Sequence, residues 1–431
     1  MGGADESVFQ PAWAPDGTLH AVSDRTGWWN VYRRDHGEWV PYREENAEYG
    51  VPMLGFGFST YGFLDDSGIA AVVVRDGVFS LERIDADGTS DAADLPYVAY
   101  GGFFGLPRLR TDGRSVYVIG IGTATPEQLV RWTPERDHEV VRRSGETPVD
   151  DAYVSTPERL RVAAPDGTGV HALFYPPTNL DATPPADSTP PLIMYVHGGP
   201  TGASHGGLDL RIQYFTSRGF AVADVNYRGS SGYGRSYRQA PYKDWGILDV
   251  QDCVAVARHL AERERVDGDR MAVRGTSAGG FVALSAFAAV DVFAAGTSQS
   301  GVVDLERLAE CTHKFESRYL DRLVGPYPEA SKRYRDRSPV TNAAEIDAPL
   351  LVLQGARDEV VPLSQAEAMG EVLDEENVPH HLEVFEDEGH GFRRSETRRL
   401  HELELAFYAS VLEIDLADDL PSPNLTASDR S

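Results

Sequence analysis

Along residues 1–146 apolar positions come in short runs that end at glycine-containing turns, and none of them keeps the 3.6-residue spacing of a helix. Asp16-Gly17, Ser67-Gly68 and Asp112-Gly113 each precede a pair of such runs. The pairs are TLHAVSD with WWNVYRRD, IAAVVVRD with VFSLERID, and RSVYVIGIG with QLVRWTP. The turns recur at spacings of 51 and 45 residues (17 to 68, 68 to 113), close to the ~40–50 residues of a propeller blade. Two hairpins per repeat make a four-stranded blade, so 1–146 is expected to be an all-β partial propeller of three to four blades, too few for a closed ring. Trp13, Trp28 and Trp29 are expected to pack between blades.

The pattern changes after a polar linker, RSGETPVDDAYVSTPE (143–158). RLRVAAPDGTGVHALFYPP predicts a hairpin around Asp166-Gly167, and the Pro- and Thr-rich run 176–191 predicts an exposed loop. From there strands and helices alternate. PLIMYVHG (191–198) is a near-continuous apolar run, as for a parallel strand covered on both faces. LRIQYFTSRG predicts a helix, FAVADVNYRG (220–229) a strand, and Asp249–Glu264 a helix with Val250, Val254, Ala257 and Leu260 on one face. Further strands are expected near 294–301, at PLLVLQG (349–355) and at HLEVFED (381–387), with helices at SQAEAMGEVLDEE and 396–413. A charged, aromatic insertion fills 302–345. Residues 150–416 therefore predict a mostly parallel sheet with helices on both faces, and 417–431 a disordered acidic tail.

Within this domain RMAVRGTSAGGFVAL (270–284) reads as a strand, a sharp turn and a helix beginning near Gly280. Gly275 and Gly279 flank Ser277 in the G-x-S-x-G pattern of an α/β-hydrolase nucleophile elbow, where a Cβ would clash with packed backbone. The turn sets the Ser277 hydroxyl at a helix N-terminus, where backbone N–H groups meet developing negative charge.

A serine hydroxyl needs a base, itself oriented by a carboxylate, and in this topology they follow in the order Ser, Asp or Glu, His. Asp358 lies just past PLLVLQG, and His390 lies past the next strand, between Gly389 and Gly391, which are expected to free the loop to aim the ring. The rivals are placed less well. Asp347 precedes its strand, Glu359 adjoins Asp358 and points away, His380 and His381 open a strand, and His313 sits in the insertion. The backbone N–H of Ala278 is one expected oxyanion donor. The second is either the loop His197-Gly198-Gly199-Pro200 or the phenol of Tyr227, and the pattern does not choose between them.

Charge narrows the partners. The 431-residue chain carries a formal net charge of −27, and its only lysines are Lys243, Lys314 and Lys332. Such acidity argues against nucleic acid and anionic membrane as partners, and fits a protein adapted to high salt. Cys253 and Cys311 are expected as buried thiols, no Cys/His spacing suggests zinc, and no cofactor is expected. Without a basic-then-apolar leader or an 18-residue apolar run, a cytoplasmic location is expected. A homo-oligomer is left open.

With HGGP, NYRGSSGYGRSYR, DWGILDVQDCVAVARHL, RGTSAGG, QGARDEVVP and GHGF in place, residues 150–414 resemble the prolyl oligopeptidase family, notably its acylaminoacyl peptidase and dipeptidyl aminopeptidase-like members. The N-terminal repeats resemble that family's propeller. The resemblance implies Ser277 as nucleophile, His390 as general acid/base and Asp358 as its orienter, and it favours Tyr227 over the HGGP loop as second oxyanion donor. The implied activity is hydrolysis of short peptides, releasing an acylated amino acid or a dipeptide from the N-terminus. A carboxylesterase would use the same triad. The family carries a longer stretch before its hydrolase, so the chain reads as the C-terminal half of a propeller plus the catalytic domain. Met1 is then an internal start, or part of the gene is lost. A half-ring leaves strand edges unpaired and would make the chain a binding module instead.

Overall fold

The computed structural model describes residues 1–3, 5–101, 106–134, 136–146, 149–182, 188–312, 314, 316–420 and 423–425. His313, parts of the linker and of the proline-rich loop, and most of the expected tail lie outside the described residues. The chain packs as two compact units. One comprises Met1–Thr156, Thr201–Asp209 and Gly229–Gln239; the other comprises Pro157–Pro200, Leu210–Arg228 and Ala240–Ser431.

The first unit holds three antiparallel sheets. They are β1 (Val8–Trp13), β2 (Leu19–Ser23), β3 (Asn30–Asp35) and β4 (Glu38–Arg43); then β5 (Tyr61–Phe63), β6 (Ile69–Arg75), β7 (Val78–Ile84) and β8 (Ser90–Ala92); then β9 (Ala99–Tyr100), β10 (Arg110–Thr111), β11 (Val116–Ile121), β12 (Gln128–Thr133) and β13 (Arg136–Arg143). The three turns join an edge strand of each sheet to the next strand, with Gly17 and Gly113 at positive φ; at the middle turn Ser67, at φ 69°, takes the left-handed position instead of Gly68. Strand β6 is apolar at nearly every position because both its faces are covered. Ile69, Ala71 and Val73 pack with Val22, Val31 and Tyr49 on one side, and Ala70 and Val72 pack with Val116, Val118 and Val130 on the other. Trp29 is buried in the first of these layers, but Trp13 is 69% exposed, so it does not pack between blades as its sequence context suggests. In β1 a bulge between Phe9 and Ala12 shifts the register, and Val8, Pro11 and Trp13 are the residues left exposed.

In the second unit eight strands form one sheet in the order β14-β15-β17-β16-β18-β19-β20-β21. The hairpin β14 (Glu158–Ala163) and β15 (Gly169–Tyr175) lies antiparallel at one edge. Strands β16 (Leu192–Val196), β17 (Ala221–Asn226), β18 (Met271–Thr276), β19 (Ala295–Gln299), β20 (Leu350–Gly355) and β21 (His380–Phe385) are parallel. The helices are α1 (Leu210–Thr216), α2 (Arg235–Gln239), α3 (Leu248–Glu262), α4 (Ala278–Ala289), α5 (Leu305–Cys311), α6 (Tyr319–Leu323), α7 (Ser331–Arg337), α8 (Leu363–Glu375) and α9 (Arg394–Val411). One sheet face packs on α3, α4 and α8 through residues such as Val254, Phe281 and Met369. The other packs on α1 and α9 through Phe215, Leu405 and Phe407. This is an α/β-hydrolase sheet, and its parallel strands all end on one edge.

Helix α2 groups with the first unit, where buried Arg238 sits 3.6 Å from the Trp29 ring centroid and pairs with Asp24 at 2.7 Å and Glu48 at 3.5 Å. Cys253 is buried as expected, whereas Cys311, last residue of α5, is exposed. The insertion is largely helical, as α5–α7 and a 3-10 turn at Pro339–Glu345.

Candidate active site

Strand β18 ends at Thr276 and α4 begins at Ala278, two residues before the expected Gly280, leaving Ser277 alone in the turn. Its backbone is at φ 59° and ψ −122°, a conformation that L-residues avoid and that persists only when the surroundings enforce it. The enforcement comes from close backbone packing. A Cβ on Gly275 would lie 2.0 Å from the Gly279 carbonyl oxygen, and one on Gly279 would lie 2.0 Å from the carbonyl oxygen of Val196. Neither neighbour is a side chain that can swing aside, so only glycine fits. The N–H of Ser277 donates to the Gln299 carbonyl at 2.9 Å, tying the turn to β19. The N–H of Ala278 belongs to the first turn of α4, whose donors have no acceptor inside the helix.

Asp358 follows β20 and is buried. Its Oδ1 accepts the N–H groups of Val360 and Val361, each at 2.9 Å, and its Oδ2 accepts from His390 Nδ1 at 2.8 Å and from Gln354 Nε2 at 3.4 Å. Burial alone would raise its pKa, but the hydrogen bond and charge of His390 and the two N–H groups outweigh it and hold the carboxyl below its usual range. The ionised carboxylate only accepts, so Nδ1 of His390 is the donor, and in a neutral imidazole Nε2 is then the nitrogen with the lone pair. Glu359, the adjoining rival, is exposed.

The loop carrying His390 is braced by contacts that the sequence reading does not identify. Gly389 and Gly391 are not at positive φ, and a Cβ on either would meet nothing closer than 3.6 Å, so neither position requires glycine sterically. Glu388 braces the loop: buried, it accepts from Arg393 N at 2.6 Å and Arg393 Nε at 2.7 Å. The Glu388 carbonyl also takes the Arg357 N–H at 2.8 Å, docking this loop on the one that carries Asp358. An acidic residue two before a histidine is a weak signal, because its cation lies on the far side of the loop. Among the described residues Ser277 and His390 make no hydrogen bond with each other, and His390 is 29% exposed at its side chain.

The HGGP loop follows β16 and lies against the elbow: a Cβ on Gly198 would be 3.4 Å from Ser277 Cβ and 3.0 Å from the Thr276 carbonyl oxygen. Tyr227 follows β17. Its phenol is fully buried and donates to the His197 carbonyl at 2.8 Å. A hydroxyl has one proton to give, and here a protein carbonyl holds it. The remaining rivals, Asp347, His380 and His381, lie before or at the start of β20 and β21, at the opposite end of the sheet.

The chain that carries this strained serine, Asp–His pair and glycine loop is similar to known proteins. The prolyl oligopeptidase family model matches residues 207–415. That stretch is similar to the prolyl oligopeptidase family. Among solved structures it is similar to a puromycin hydrolase, with 40% identity and a TM-score of 0.94 over 99% of this chain and 64% of that one. A puromycin-hydrolyzing peptidase of Mycobacterium tuberculosis superposes with a TM-score of 0.95 at 38% identity, over 99% of this chain and 65% of that one. Dipeptidyl aminopeptidase BIII of Pseudoxanthomonas mexicana is 31% identical over 220 residues, which is 50% of this chain and 32% of that protein. The chain thus spans about a third of this curated relative and less than two thirds of either solved protein. No described helix is long and apolar enough to cross a membrane.

Proposed function

We propose that the chain is a serine peptidase that cleaves short peptides through an acyl-enzyme, with Ser277 as nucleophile, His390 as general base and acid, and Asp358 as the group that orients the imidazole. The observation that carries this reading is the 2.8 Å Asp358–His390 hydrogen bond at the strand edge where Ser277 is held at φ 59°. Substrate binding closes Ser277 Oγ on His390 Nε2, a contact often loose in empty sites. Nε2 takes the hydroxyl proton as Oγ attacks the carbonyl. Asp358 stabilises the imidazolium, which returns the proton to the leaving amine, and water repeats the sequence to free the acid. The oxyanion is met by the Ala278 N–H and, since Tyr227 is engaged elsewhere, by an N–H of the Gly198–Gly199 segment.

The relatives' names favour release of an N-terminal residue or dipeptide, with puromycin as a further substrate to try. The domains are taken as blades to 146, hydrolase from 150 to 416, and a tail beyond. The experiment is turnover of dipeptidyl anilides, acetyl-alanyl anilide, puromycin and short-chain esters by protein purified in molar salt, with fluorophosphonate labelling. Anilide or puromycin cleavage with label on Ser277 supports the peptidase. Ester cleavage alone assigns a carboxylesterase, and absence of both label and turnover leaves a binding module.

A further inference from the structure

We infer that Tyr227 and His197 are positioning residues, a stacked pair that aims the N–H groups of Gly198 and Gly199 at the carbonyl attacked by Ser277. The inference rests on the hydrolase reading above. The two rings lie 4.4 Å apart, centroid to centroid, at 18° between planes. From that stack two hydrogen bonds reach consecutive peptide groups. The Tyr227 hydroxyl donates to the His197 carbonyl at 2.8 Å, and His197 Nδ1 lies 2.9 Å from the Gly198 carbonyl. A carbonyl only accepts, so Nδ1 carries the proton.

Each carbonyl shares one planar trans peptide with the next residue's N–H, and the two point in opposite directions. Pinning the 197 carbonyl therefore aims the Gly198 N–H, and pinning the 198 carbonyl aims the Gly199 N–H. Gly199, at φ 128°, has no side chain to hold it in that orientation, so the restraint has to come from neighbouring groups such as the two rings. The loop lies where such donors would act, with Gly198 near Cβ contact with Ser277.

The protonation states agree with this role. Burial pushes the His197 ring down to about 4, so it stays neutral with one N–H. Burial, with the nearby Asp249 carboxyl adding to it, pushes the Tyr227 phenol far above its usual range, so it remains a donor. Neither group needs to touch substrate; both fix dipoles before the reaction begins.

The test compares Tyr227→Phe, which keeps the stack and drops one hydrogen bond, with His197→Phe, which keeps the stack and drops the other, and with the double variant. The readouts are kcat and KM on a cleaved anilide, with thermal melting alongside. Each single variant is expected to lose about tenfold in kcat, the size of one neutral hydrogen bond, with KM nearly unchanged. The double variant is expected to lose less than the product of the two, because both act on one loop. A loss of 10²–10³-fold for Tyr227→Phe would instead make the phenol a direct oxyanion donor. Unchanged kcat, a change confined to KM, or strictly multiplicative losses would overturn the positioning role. If Tyr227→Phe does not fold, His197→Phe decides by the same kcat and KM criterion. A wild-type chain that neither turns over substrate nor takes up fluorophosphonate overturns the hydrolase reading itself, and this inference with it.

Discussion

Asp358 and Asp249 are both buried carboxyls, and their environments drive them in opposite directions. Asp358 has donors on both oxygens and is held ionised; it contributes stability above the unfolded carboxylate range that is lost as pH falls through its depressed folded value. Asp358→Asn keeps the shape but presents an amide to Nδ1, so kcat is expected to fall about 10⁴-fold with the fold intact, by steady-state kinetics and circular dichroism. Asp249 has no partner for Oδ2, and burial, with the charge of Asp252 adding to it, raises its pKa to about 7 despite the N–H groups of Val250 and Gly246. Here the folded state binds the extra proton, so stability falls as pH rises from about 4 to about 7. Asp249→Asn is therefore expected to stabilise the protein at pH 7 and above and to change it little near pH 4, by urea unfolding at both pH values. Equal effects at the two would mean that Asp249 titrates normally. What was readable at this scale was the placing of Ser277 in the turn and of Asp358 and His390 just past their strands, because turn glycines and strand ends mark those positions in one dimension. The bond partners of Tyr227 and Glu388 were not, because each contact is made across a loop that sequence order does not display.

Among the elements, strand β18, the elbow and helix α4 form the unit on which the site is built. Gly275→Ala and Gly279→Ala each force a methyl into a carbonyl oxygen, and each is expected to destabilise by about 3 kcal/mol or more, measured by chemical denaturation or by loss of soluble protein. A variant that melts like wild type would show that the turn can relax. The parallel strands were legible because burial on both faces writes them as unbroken apolar runs: LIMYV of β16 is buried throughout. The start of α4 was misplaced by two residues because Ala278 and Gly279 carry no capping signal; the helix begins where β18 stops, without a side-chain cap. Trp13 and Cys311 were misjudged for a related reason. An apolar residue at the end of a short element can face either way, and only its register on the neighbouring strand or helix decides.

On the scale of the whole molecule, charge is the property that sequence displays best. At −27 the folded chain repels itself, and counterions relieve that. The melting temperature is expected to climb between about 0.1 M and 2 M sodium chloride, and a flat profile would remove the case for salt adaptation. The grouping of residues into units was less legible. Both segments that follow the oxyanion-side strands, Thr201–Asp209 after β16 and Gly229–Gln239 after β17, pack with the blades rather than with the sheet from which they emerge. Periodicity assigns residues to elements, but it does not say which neighbours a loop will choose.

That allegiance bears on how such proteins can be recombined. A chimaera that exchanges the N-terminal blades of two relatives at a single splice near 156 would bring in a new Asp24, Trp29 and Glu48 while keeping the old Arg238 that sits among them. A transplant that respects the packing has to carry three pieces of chain, and descent would be expected to have moved them together.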